Sequence, residues 1–98
     1  MKIIYRDSAV EDIVRAGIWY DTISKNLGEE FYNELTNTIN RLKQYPLAGN
    51  PLNAGGRIVW LGKFPYSIIY KYYPRKKEMI ILGVFHTSQN LSVRNKRK

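Results

Sequence analysis

The stretch GGRIVWLGKFPYSIIYKYYPRKKEMIILGVFH, Gly55 to His86, decides the fold. Tyr66 to Tyr73 and Glu78 to His86 are rich in the β-branched and aromatic residues that fit a pleated surface. Pro74 to Lys77, a polar segment opened by proline, separates them as a turn. Arg57 to Leu61 reads as a further strand ahead of them, so the three segments predict an antiparallel meander with short links. Side chains alternate along a strand, which places Tyr66, Ile68, Tyr70 and Tyr72 on one face and Ser67, Ile69, Lys71 and Tyr73 on the other. The same parity puts Ile80, Leu82, Val84 and His86 on a common face of the last strand.

Upstream the period changes from two to that of a helix. Gly49, Pro51, Gly55 and Gly56 punctuate a loop over Leu47 to Gly56, and Pro46 stops the segment before it. In that segment Phe31, Leu35, Thr38, Ile39, Leu42 and Tyr45 form one apolar stripe, with Glu29 and Glu30 at the positive helix start and Lys43 near the negative end. Gly28 marks the break from an earlier helix that opens with Ser8 and Glu11 in capping-box spacing. Its expected buried stripe is Val10, Ile13, Val14, Gly17 and Tyr20, leaving Asp12, Arg15 and Asp21 to water. Met1 to Arg6 is a short extended segment. The expected architecture is α+β: an N-terminal strand and a two-helix hairpin packed on one face of a small antiparallel sheet.

The 98 residues make a single domain, 1–98, with room for one core, so any site lies on the surface of that core. With 44% hydrophobic residues and no cysteine, the chain needs neither disulfides nor metal to fold and suits a reducing, cytoplasmic setting. Nothing in the pattern asks for a cofactor or metal, and no apolar run has the length of a membrane span. The net charge of +8 is unevenly shared. Up to Asn40 four Lys or Arg stand against seven Asp or Glu, a balance of −3; from Arg41 onward twelve stand against Glu78 alone, a balance of +11. A basic half attracts polyanions or an acidic partner segment. Part of the excess belongs to a basic tail from about residue 90, Arg94 to Lys98, read as solvated.

Four residues compete for roles. Arg57 either clamps a phosphate or pairs with an acidic helix residue to fix the sheet. His86, the single histidine, is either an acid or base near neutral pH or a hydrogen-bonded group at the core margin. Lys63, Lys71 and Arg75, with Arg57, are the cations expected to contact a partner, although a hairpin-tip position such as Arg75 is also a usual place for solvated charge. The strand tyrosines either stack bases or supply bulk to the core.

The order and spacing of GEEFYNELTNTINRLKQYPLAG, Arg57 of GGRIVWL, FPYSIIYKY and IILGVFH resemble the RelE/ParE toxin superfamily of type II toxin–antitoxin and plasmid-stabilisation modules, over nearly the whole chain. The wording is closer to the ParE-like branch. That resemblance implies a poison of DNA gyrase that acts by binding, is neutralised by a cognate antitoxin, and reaches operator DNA only through that antitoxin. The RelE-like branch implies instead a ribosome-dependent ribonuclease cutting mRNA, for which Arg57 and His86 are the candidate catalytic residues. A third expectation is a non-toxic member that retains antitoxin binding.

Overall fold

The computed structural model describes residues 1–88, so the basic tail lies outside the described residues. The elements run β1 (Lys2–Tyr5), α1 (Asp7–Ile23), α2 (Leu27–Gln44), β2 (Asn50–Pro51), β3 (Arg57–Trp60), β4 (Tyr66–Tyr73) and β5 (Glu78–His86). Two helices pack against a five-stranded sheet of order β1-β5-β4-β3-β2. The meander β3-β4-β5 is antiparallel as expected, and β2 continues it from the loop. The sheet as a whole is mixed, because β1 lies parallel to β5, with Lys2 opposite Glu78 and Tyr5 opposite Ile81. A two-helix connection between β1 and the meander supplies the long crossover that a parallel neighbour needs.

β5 carries one residue more than its partner between Ile81 and Gly83, so the register with β4 shifts at Ile69 and Tyr70. Leu82 is that extra residue, and it reverses the alternation halfway along the strand. Met79 and Ile81 therefore join Val84 and His86 on the helix-covered face, opposite Tyr72, Tyr70, Ile68 and Tyr66 respectively. Ile80 falls on the other face, which corrects the simple parity read from sequence. For β4 that parity holds: Ile68 and Tyr70 are in the core, with Tyr66 and Tyr72 half-buried against it.

The bulge also shapes how α1 meets the sheet. β1 ends at Tyr5, and the amide of Arg6 makes the last backbone bond to Ile81 O. Beyond it the outer edge of β5 is bonded by side chains of α1 instead of a strand. The Ser8 hydroxyl donates to Leu82 O at 3.2 Å, and Asp12 Oδ2 accepts from the Val84 amide at 3.0 Å. Ser8 is thus not a helix cap, since its hydroxyl is spent on the sheet, and Asp12 does not point to water. Drawn against β5 on that side, α1 buries Ala9, Ala16, Gly17 and Tyr20, while Val10 and Val14 rotate outward.

The second helix follows its sequence closely. Phe31, Leu35, Thr38, Ile39 and Leu42 are buried, and Tyr45 lies past the helix end and is exposed. The break between the helices falls at Ser24 to Asn26, where Asn26 takes the left-handed conformation; Gly28 is already helical. Its role is close approach. A Cβ there would lie 2.6 Å from Gly17 O and 2.5 Å from Asp21 Oδ1, and Asp21 Oδ1 accepts from the Gly28 amide at 2.9 Å. Tyr20, Phe31, Phe64 and Tyr66 then fill the centre with edge-on and tilted ring contacts at 4.9–6.1 Å.

Candidate partner interface

Arg57 sits directly opposite Tyr70, so both side chains leave the sheet on the helix-covered face. There the two form a clamp under the chain that joins α2 to β2. Arg57 Nη1 donates to Leu47 O at 3.2 Å and to Gly49 O at 2.8 Å. The buried Tyr70 hydroxyl donates to Pro46 O at 2.8 Å and accepts from the Gly49 amide at 2.9 Å. A side chain at Gly49 would meet the Tyr70 hydroxyl at 2.7 Å, so this position admits only hydrogen. Burial raises the Tyr70 pKa above its usual 10, partly offset by the Gly49 bond and the Arg57 charge. The guanidinium is committed to carbonyls of its own chain, and the result is a fixed loop that presents Tyr45 and Leu47 to solvent.

His86 closes β5 with its ring edge-on to Tyr66 at 5.2 Å. Its Nδ1 accepts from the Ser88 amide at 3.1 Å and lies 2.8 Å from the Ser88 hydroxyl, an arrangement that assigns the ring proton to Nε2. The carboxylate of Asp12 lies close enough to Tyr66 to raise that phenol further, after burial, which is the larger cause. Arg57 and His86 are not brought together. They are registered against Tyr70 and Tyr66, so roughly 13 Å separates them along β4 and about 10 Å more across the strands.

The remaining predicted cations spread over the sheet. Lys63 is exposed in the turn before β4, and Arg75 is exposed in the hairpin beyond it, at opposite ends of that strand. Lys71 is half-buried on the face away from the helices. Next to Arg75, Lys76 places its ammonium 6.0 Å from the Tyr73 ring centre.

A second surface escaped the sequence reading. α1 exposes Val10 (45%), Val14 (46%) and Ile18 (60%) in one row, and Trp19 and Ile23 on another side. Tyr32 of α2 lies beside the first row, its hydroxyl over Gly17, where a β-carbon would collide with it. Next to Tyr32 is an open concavity of about 510 Å³, lined also by Asp21, Lys25, Asn26 and Glu29. The available signal was arithmetic: α1 holds more large apolar residues than a single buried face accommodates.

Comparison with known proteins places this α+β domain among small bacterial toxins. Its fold is similar to the chromosomal ParDE toxin–antitoxin system from P. aeruginosa, with a TM-score of 0.76 at 21% identity over 88% of this chain and 95% of that one. It is also similar to the isolated E. coli RelE toxin (TM-score 0.58, 15% identity, 98% and 96% covered). The RelBE2 toxin–antitoxin complex from Mycobacterium tuberculosis gives 0.53 at 18% identity, covering 87% and 95%. No curated protein matches the chain. The sequence profile of the ParE toxin of type II toxin–antitoxin systems, parDE, matches residues 3–91, and the chain belongs to that family.

Among the described residues, no helix is long and apolar enough to cross a membrane.

Proposed function

We propose that this toxin acts in the cytoplasm by protein contact, with DNA gyrase as its target, and that a cognate antitoxin holds it inactive until the antitoxin is lost. The observation that carries the reading is the commitment of Arg57. A ribonuclease of the RelE kind needs cations facing a phosphate as charge grows there, with a proton donor and acceptor within hydrogen-bond reach. Here the strand arginine bonds Leu47 O and Gly49 O, well apart from His86. Arg57 then serves the interface by ordering the Tyr45–Leu47 loop, while Lys63, Lys71 and Arg75 supply charge for contact with an acidic partner surface. Support for the antitoxin comes from the family and from the toxin–antitoxin complexes among the structural neighbours. Operator DNA is reached through the antitoxin.

The test is direct. Purified protein added to gyrase and supercoiled plasmid is expected to accumulate cleaved, enzyme-linked DNA, and addition of the antitoxin is expected to abolish it. Cutting of ribosome-engaged mRNA with gyrase unaffected would replace this reading with the ribonuclease. Neither activity, with antitoxin binding intact, would make the protein a non-toxic member of the family.

A further inference from the structure

The exposed apolar side chains of this molecule and its positive charge lie on different halves. Asp7 to Asn40 holds seven carboxylates against Arg15 and Lys25, a balance of −5, and the row Val10, Val14, Ile18 belongs to that half. Residues at i, i+4 and i+8 form a continuous ridge on a helix, here about 12 Å long. Gly17 leaves the flank of this ridge open, and Tyr32 lies across it from α2, so a shallow groove runs between the two helices. Ridge and groove of this spacing suit the side-chain ridge of another helix. At the Tyr32 end the groove meets the concavity that Asp21 and Glu29 line against Lys25 alone, and beside the ridge runs the row Asp7, Glu11, Arg15.

We infer that the α1–α2 groove is the docking site for an amphipathic helical segment of the antitoxin, one whose apolar ridge is flanked by Lys or Arg. This rests on the antitoxin partnership proposed above and assigns it a place and a charge. An acidic segment would meet like charge here and belongs on the basic sheet half instead. The two ends of one antitoxin chain would then carry opposite charge, each matched to its own half of the toxin.

The probes are two peptides of about 18 residues with leucines at every third and fourth position, one with lysines and one with glutamates on the polar face. The whole chain carries +8, so its overall field repels the lysine peptide and attracts the glutamate one; only local complementarity reverses that order. Titrated in solution, the lysine peptide is expected to bind about tenfold or more tightly than the glutamate peptide. V14Q/I18Q is expected to weaken it by about tenfold, and E29Q to narrow the difference between the peptides. Both variants should melt within a few degrees of the parent, since the altered side chains are exposed. Preference for the glutamate peptide, no binding of either, or full binding by V14Q/I18Q overturns the inference. So does a dimer of the unliganded chain that V14Q/I18Q dissolves, which would seat a second copy in the groove. The antitoxin encoded beside this gene supplies the last arm. If it binds parent and V14Q/I18Q equally, the inference fails and the partnership stands; if it does not bind at all, the partnership fails and with it the named occupant.

Discussion

Replacing Tyr70 by phenylalanine removes one oxygen from the clamp and leaves the rest of the core in place. The ring remains fully buried, but the Gly49 amide loses its acceptor and Pro46 O its donor. Gly49 is buried against Tyr70, so its amide has no easy route to water, and an unsatisfied buried donor costs about 1–3 kcal/mol. Pro46 is half-buried and recovers part of its loss from solvent. The expected destabilisation is about 2 kcal/mol, a drop of roughly 8–16 °C in melting temperature for a domain of this size. Chemical denaturation gives the free energy, and amide hydrogen exchange locates it, with Gly49 exchanging faster. Y73F, which alters an exposed tyrosine, is the control and should leave stability unchanged. Combining Y70F with R57M should cost less than the two changes separately, because both act through one loop. A loss below about 0.5 kcal/mol, with Gly49 exchange unchanged, would refute the clamp.

Four further outcomes follow from the same geometry. Asp12→Ala strands the Val84 amide at the sheet edge and is expected to cost about 1–3 kcal/mol by denaturant titration, with Asp12→Asn milder because its carbonyl still accepts. Gly28→Ala forces a methyl against Gly17 O and should destabilise by about 1–3 kcal/mol, whereas Gly17→Ala displaces only the outer end of Tyr32 and should be near neutral in the same titration. Burial raises the pKa of Tyr5, Tyr20, Tyr66 and Tyr70 above the usual 10. The unfolded phenols therefore ionise first, so the stability tied to neutral tyrosine is present below pH 10 and is lost as pH rises through the folded values; alkaline melts should show this, with a shallower decline in Y70F. Arg57→Lys keeps the charge but offers no fixed fork to the two loop carbonyls, so it should lower both thermal stability and gyrase inhibition while leaving peptide binding at the α1–α2 groove intact.

Local chemistry alone determined much of this protein. The alternation of Tyr66 to Tyr73, the proline-opened turn at Pro74 and the helical spacing from Phe31 to Leu42 are short-range patterns, and each became the element it describes with its buried face as read. The family was legible for the same reason, since its signature is a succession of such segments. What those patterns lacked was any account of edges. β5 has an outer edge that β1 covers only as far as Ile81, and the chain resolves it by inserting Leu82 and lending Ser8 and Asp12 from α1. That single accommodation turns α1 about its axis, sends Val10 and Val14 into solvent, and shifts Ile80 to the other side of the sheet. Arg57 is a parallel case: its sequence neighbours leave phosphate and structural roles equally open, and the choice came from Leu47 and Gly49, whose carbonyls reach it only once α2 has packed. Hydrogen-bonding groups at a sheet edge or under a loop are satisfied by residues distant in the chain, so their partners, and the surfaces released in exchange, are settled only when the elements assemble.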